Sequence, residues 1–149
     1  MGQTPQELIG LARDYGRRWA RSYASLTSVE QERFWADFDS KLGPVEWEVE
    51  VRDVVPNRHH DPILGNWGDP IGYTLFGLIA RRGNWFIGRS EWTVQVGLPI
   101  SAHEQVANLK KGQRVYIAGV PSFNYRGGNL DGSFHFVIPN GAVRTTRDV

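Results

Sequence analysis

The hydrophobic period of this chain changes at Gly43-Pro44. Before these residues, apolar side chains recur every three or four positions, as on one face of a helix. From Val45 to Val55 they alternate with polar ones, as on a half-buried strand. A glycine followed by a proline also ends helices, because the proline ring cannot continue the helical hydrogen bonds. We therefore predict a helical segment over residues 1–43 and a β-rich segment after it.

The helical segment contains two N-terminal capping signals, Thr4 with Glu7 and Thr27 with Glu30. In a capping box, the threonine hydroxyl and the glutamate carboxylate accept hydrogen bonds from backbone N–H groups that the helix leaves unpaired. We predict one helix after each threonine. Their apolar positions are rich in aromatic residues: Leu8, Leu11, Ala12, Tyr15, Trp19 and Tyr23, then Phe34, Trp35, Phe38 and Leu42. A lone helical hairpin could not bury so many rings, so we expect it to pack on the rest of the chain.

Five short segments after Gly43 have the composition of strands: residues 45–55, 73–80, 85–98, 114–120 and 134–138. A capping box at Ser101–Glu104 predicts one short helix between the third and fourth strands. A parallel sheet needs a helix after nearly every strand, and a sandwich needs more strands. The order therefore favours a mainly β fold, a five-stranded OB-like barrel with a short helix between strands 3 and 4.

This interpretation divides the chain into three parts. They are an N-terminal helical hairpin over 1–43, packed on the barrel, an OB-like β-barrel over 44–140, and a C-terminal tail, extended or frayed, over 141–149. We expect a loop over 56–72, a tight turn over Arg81–Asn84 and a bulge near Gly88. Several glycines are expected where a strand bends or another backbone approaches closely. These are Gly77, Gly88, Gly97 and Gly119.

Composition limits the class of protein further. The 149 residues include no cysteine, which excludes disulfides, a thiol nucleophile and thiolate metal sites. The longest mostly apolar run, Tyr73–Ala80, is too short to cross a bilayer, and no secretory signal is visible, so we expect a soluble, cytoplasmic chain. Residues 1–53 carry 10 acidic and 7 basic side chains, and residues 54–149 carry 6 and 10. We therefore expect an anionic partner to bind the second part.

Two segments carry a resemblance to a known family: Val94–Ser101, and Leu109–Gly119 with its sequence LKKGQRVYIAG. Together they resemble bacterial OB-fold proteins of the tRNA-anticodon-binding-like group, in which a strand leads into a short helix and then into an L-K-K-G turn and strand. As a pattern the resemblance spans roughly residues 45–140, and it implies the OB fold there. The helical segment over 1–43 is not part of it.

Arginine and aromatic side chains concentrate where OB barrels bind nucleic acid, on strands two and three and in the loops joining strands one-two and four-five. Cations neutralise phosphates, and flat rings stack on unpaired bases at about 1–3 kcal/mol each, whatever the base. We therefore predict a non-enzymatic module that binds single-stranded DNA or RNA with low sequence specificity. The candidate residues are Arg58, Trp67, Arg81, Arg82, Trp85, Arg89, Phe123, Tyr125 and Arg126.

The aromatic side chains in these regions could instead belong to the hydrophobic core. About half of the aromatic residues in these regions are expected in the core or beneath the helices, given how often large rings are buried. Trp92 is left out of the candidate set, because alternation places it on an inward face with Val94 and Val96. The segment 122–132, rich in glycine and asparagine, is either a binding loop or a long hairpin with one ring pinned to the barrel.

The remaining motifs favour structural roles. His59-His60-Asp61 lacks a third ligand at a recognised metal spacing, and three glutamates over 46–50 form a solvated face rather than a catalytic pair. We predict no catalytic residue, no metal and no cofactor. A second hypothesis is a protein-interaction or assembly module, with a protein partner or homo-oligomer formed through the barrel and the aromatic helices. The stripe of Arg13, Arg17 and Arg21 is interpreted as a solvated helix face.

Overall fold

The computed structural model describes residues 2–60, 67–84, 88–122 and 134–146. The helices are α1 (Pro5–Ser22), α2 (Ser28–Ser40) and α3 (His103–Ala107), with short 3₁₀ turns at Tyr23–Ser25 and Ile100–Ala102. The strands are β1 (Val45–His60), β2 (Trp67–Asn84), β3 (Gly88–Pro99), β4 (Arg114–Gly119), β5 (Phe134–Ile138) and β6 (Ala142–Arg144). None of the helices in these ranges is both long and apolar enough to span a bilayer.

The first two helices begin where the capping signals predict. The Thr4 hydroxyl accepts a hydrogen bond from the backbone N–H of Glu7, and Thr27 and Glu30 form a complete capping box. The predicted capping box at Ser101–Glu104 is wrong. Ser101 lies inside a 3₁₀ turn, so α3 begins only at His103, without a side-chain cap.

The strands form one mixed sheet in the order β5-β3-β2-β1-β4-β6. β1 pairs with both β2 and β4, β2 pairs with β3, and β4 pairs with β6, all antiparallel, whereas β3 and β5 are parallel. β3 and β4 lie on opposite sides of the β1–β2 pair, so the chain must cross between them. The 3₁₀ turn and α3 make that crossing, which confirms the predicted helix between strands 3 and 4.

The strands are longer and more numerous than predicted. Within the described ranges the sheet has six strands rather than five, because Ala142–Arg144 pairs with β4 instead of forming a frayed tail. β1 continues to His60 and β2 begins at Trp67, so much of the predicted loop over 56–72 is paired strand. The predicted turn over Arg81–Asn84 is also strand, and β3 begins at Gly88, which pairs in register with Asn84. The register shift lies instead in β2, between Leu78 and Ala80.

The inward face of the sheet and the two long helices share one hydrophobic core. Trp92, Val94 and Val96 are buried, which confirms the predicted inward face of β3. The indole N–H of Trp47, in β1, donates to the backbone carbonyl of Gln3 over 2.9 Å and so ties the sheet to the start of the chain. The core residues contributed by the segment 1–43 are Leu8, Ile9, Ala12, Tyr15, Trp35, Phe38 and Leu42.

The sheet curls: the end of β4 lies close to the end of β5, although β3, β2 and β1 separate these two strands in the sheet. A Cβ atom added at Gly119, at the end of β4, would overlap Ile138 at the end of β5. The backbone N–H of Gly141 donates to the Gly97 carbonyl over 2.8 Å, which joins the turn before β6 to β3. Close backbone approaches of this kind were predicted at Gly97 and Gly119.

Candidate nucleic-acid interface

At each end, β2 extends past one of its two neighbours and stays paired with the other, which forms a two-stranded arm. Pairing with β1 ends at Leu78, and β5 begins opposite Trp92. Within the described residues, 81–84 and 88–91 therefore pair only with each other, and we call them the β2–β3 arm. At the other end, residues 58–60 and 67–71 form the β1–β2 arm, because β3 joins β2 only from Gly72 onward.

The β2–β3 arm contains three of the predicted site residues. Arg81 lies opposite Glu91, Arg82 opposite Ser90, and Arg89 opposite Gly83. The paired part of this arm therefore has three arginines and one carboxylate. Trp85, between its strands, lies outside the described residues. The Arg81 side chain is 66% exposed, so it is accessible to a ligand in solvent.

Arg58 and Trp67 belong to the β1–β2 arm instead. The Arg58 guanidinium is exposed and donates to the Gly68 carbonyl over 3.1 Å, and Trp67 pairs in register with His60. At about 3.3 Å per residue, β2 separates Trp67 from Arg82 by roughly 50 Å of strand, less the shortening that twist produces. The structure therefore places the candidate residues on two arms rather than on one patch.

Phe123, Tyr125 and Arg126 lie outside the described residues, but both chain ends of their segment are described. The backbone N–H of Ser122 donates to the Val137 carbonyl over 2.6 Å. Phe134 pairs in register with Trp92, at the base of the β2–β3 arm. The segment therefore rejoins the sheet at the base of the arm that holds Arg81, Arg82 and Arg89, and it leaves the sheet beside Val137, whose register partner is Gln95.

An ion-pair cluster at the base of the β2–β3 arm reduces its positive charge. Both terminal nitrogens of Arg52, in β1, donate to the Glu91 carboxylate over 2.8 Å, and Arg81 approaches the same carboxylate at 3.5 Å. Hydrogen bonding to Arg52 lowers the pKa of Glu91 below its usual range, so this carboxylate stays ionised at neutral pH. Arg52 was missed in the sequence, although it continues the alternating outward positions of β1.

The outer face beside this cluster is mostly uncharged on β3 and β5 and acidic on β1. Phe76, in β2, is half-buried, and its register partners are Asp53 and Gln95. His135, in β5, is exposed, and its Nδ1 lies 2.8 Å from the Thr93 hydroxyl. The glutamates over 46–50 line the outward positions of β1, where Glu48 lies 3.9 Å from Arg114. A polyanion would be repelled from that side of the sheet.

The part of the chain that the structure describes contains no group of three histidine, aspartate or glutamate side chains placed to hold a metal ion. His103, the first residue of α3, is exposed. Its Nδ1 also lies 2.6 Å from the Tyr73 hydroxyl, a contact that ties α3 to β2.

No family model matches the sequence, and no curated protein matches it. Among solved structures, the chain is similar to the small single-stranded DNA-binding protein from Streptomyces coelicolor. The identity is 14% and the TM-score 0.35, over 65% of this chain and 87% of that one. It is also similar to the mitochondrial single-stranded DNA-binding protein Rim1 from S. cerevisiae, with 14% identity and a TM-score of 0.34, over 68% of this chain and 93% of that one. The strand order and register above, rather than these likenesses, define the fold of this chain.

Proposed function

We propose that this chain is a non-enzymatic module of the OB type that binds single-stranded DNA or RNA with low sequence specificity. The observation that carries the proposal is the β2–β3 arm, a hairpin whose paired residues include three arginines and one carboxylate. Guanidinium groups on such a hairpin neutralise successive phosphates, and this attraction does not depend on base identity.

The proposed contact surface has a centre and a second site. Arg81, Arg82 and Arg89 form the centre. Trp85 follows the β2 strand of this arm, and the segment with Phe123, Tyr125 and Arg126 rejoins the sheet at Phe134, opposite Trp92 at the base of the arm. In the proposal these rings stack on bases while the arginines neutralise phosphates. Arg58 and Trp67, on the β1–β2 arm, would contact a longer strand at a separate point.

The first prediction tests the arm directly. Changing Arg81, Arg82 and Arg89 together to alanine is expected to weaken binding of a single-stranded oligonucleotide by at least about tenfold at low salt. The slope of log affinity against log salt should fall by about two, because each phosphate contact on a single strand contributes about 0.7. Fluorescence anisotropy at two or more salt concentrations measures both quantities.

A charge-matched control separates this site from general attraction to a polyanion. Arg17, Arg21 and Arg33 are exposed on the helices and form no ion pair within the described ranges, so their triple alanine variant removes the same charge elsewhere. It should bind nearly as tightly as the unmodified chain. Equal losses in the two variants would contradict the site, and an unmodified chain that binds nothing at low salt would contradict the function.

A second prediction concerns the ion-pair cluster. Glu91→Gln removes the carboxylate that both Arg52 and Arg81 approach, so two guanidinium groups become available to phosphates. We expect oligonucleotide affinity to rise by roughly threefold at low salt, with a steeper salt dependence. Glu48→Gln, which changes the net charge equally on the acidic side of the sheet, should have little effect. Equal gains would attribute the result to net charge alone.

One observation favours the alternative of a protein-interaction module. Ile71, in the β1–β2 arm, is 65% exposed, and at that level of the sheet neither strand has a second partner among the described residues. An exposed apolar residue on an unpaired strand edge favours pairing with another chain. A chain that ignores oligonucleotides but scatters light as a stable oligomer would support this alternative over nucleic-acid binding.

A further inference from the structure

A groove of about 460 Å³ lies on the helical hairpin, between α1 and α2. Its lining includes Trp19 from α1 and Trp35, Glu32, Ala36 and Asp39 from α2. None of the residues assigned above to nucleic-acid binding contributes to it. The groove therefore requires an explanation of its own.

Two indole rings form the apolar part of this groove. The ring centroids of Trp19 and Trp35 lie 5.3 Å apart, and Trp19 also packs against Phe34 at 5.5 Å and stacks on Tyr23 at 5.8 Å. Contacts on several sides fix the orientation of the Trp19 ring. The faces of tryptophan rings carry negative electrostatic potential and attract cations more strongly than other aromatic side chains do.

Two carboxylates contribute the charge of the groove. Glu32 and Asp39 are exposed, form no ion pair within the described residues, and lie about two helical turns apart on α2. Ala36 lies between them, and its small side chain leaves the groove open there. None of the described residues that line the groove is a lysine or an arginine. Other α2 carboxylates have partners already: Glu30 caps the helix, and Asp37 accepts from Tyr15 and pairs with Lys41.

We propose that this groove binds an arginine- or lysine-bearing segment of a protein partner. The aliphatic stem of such a side chain packs on the exposed part of Trp19, since Trp35 is only 4% exposed, and its cationic head approaches that ring. Glu32 and Asp39 accept hydrogen bonds from the cationic groups of the segment. The carboxylates repel phosphates, so the groove is unsuited to the polynucleotide proposed for the arms. The helical hairpin thus recruits a basic protein segment while the β2–β3 arm stays free.

Calorimetric titration with a tetra-arginine peptide amide tests this inference on the full-length chain. We expect one peptide to bind per chain, with an affinity that decreases as salt is added. The Glu32→Gln/Asp39→Asn variant should bind roughly fivefold more weakly, the effect of two exposed charges. Trp19→Leu should lose about threefold to tenfold. Both carboxylates are exposed, so the double variant keeps the fold even if Trp19→Leu does not.

Two controls determine whether the groove and the cation are responsible. The Glu48→Gln/Glu104→Gln variant removes two exposed carboxylates that do not line the groove and should bind the peptide as the unmodified chain does. A citrulline peptide of the same length, which lacks the positive charge, should not bind. Equal weakening in the two carboxylate variants, binding of the citrulline peptide, or no binding by the unmodified chain would overturn the proposal. A self-association abolished by Glu32→Gln/Asp39→Asn would also overturn it, by making a second copy the occupant.

Discussion

Replacing Phe38 with alanine is expected to lower the free energy of unfolding by about 3–5 kcal/mol. The side chain has no exposed surface, and its ring centroid lies 5.1 Å from that of Tyr15 and 5.9 Å from that of Trp35. Truncation removes buried apolar area and leaves a cavity that rings held by several neighbours cannot readily fill. The loss should affect the sheet as well, since Phe38 belongs to the same core cluster as Trp47 and Phe136.

Denaturant unfolding followed by far-ultraviolet circular dichroism and by tryptophan fluorescence measures this effect. Both signals should give one coincident transition in the unmodified chain and in Phe38→Ala, displaced to lower denaturant in the variant. Val29→Ala, at a 58% exposed position on the same helix, is the control and should change stability by no more than about 0.5 kcal/mol. A separate early transition confined to the helical signal would contradict a core shared by helices and sheet.

The elements that sequence analysis predicted best are those whose signals are local. Thr4 and Thr27 lie within three residues of the groups they cap, so neighbouring residues alone specify where α1 and α2 begin. Alternation likewise identified the inward face of β3, because burial repeats every second residue along a strand. Local signals of this kind do not depend on which strands later become neighbours.

Strand length was underestimated because it depends on pairing partners. The prolines over 56–70 suggested a loop, since proline cannot donate a ladder hydrogen bond. In the fold, Pro56 and Pro70 occupy parts of β1 and β2 that have a free edge, where a missing donor is tolerated. The three residues of β6 are too short to show a period, and they become a strand only because β4 offers an unpaired edge.

For the candidate site too, the sequence identified the types of residue but not where the fold places them. Sequence reasoning selected arginines and rings by their chemistry, but the register decides that Arg81, Arg82 and Arg89 share one arm while Arg58 is on the other. The partnership of Arg52 with Glu91 joins residues 39 positions apart and depends on both strands pairing with β2. No spacing rule within a single strand could have predicted it.

Replacing Gly97 with alanine is expected to destabilise the fold by about 2–4 kcal/mol, although it adds only one methyl group. A Cβ atom at this position would overlap the carbonyl oxygen of Pro139, and backbone cannot move aside as the end of a side chain can. Displacing residues 139–141 would also strain the 2.8 Å hydrogen bond from Gly141 to Gly97. Overpacking costs about 1–3 kcal/mol and a lost backbone hydrogen bond about 1 kcal/mol.

Gly10→Ala is the matched control, because it makes the same chemical change with the opposite expected sign. A Cβ at Gly10, inside α1, would meet nothing within 4 Å, and alanine favours the helix over glycine by roughly 0.5–1 kcal/mol. Chemical denaturation of both variants should therefore move their midpoints in opposite directions from the unmodified chain. If Gly97→Ala were as stable as the unmodified chain, the close approach of β3 to the 139–141 turn would be refuted. The evidence for the curl that brings β4 toward β5 would then no longer include the contact of Gly97 with Pro139, and it would rest on the contact of Gly119 with Ile138.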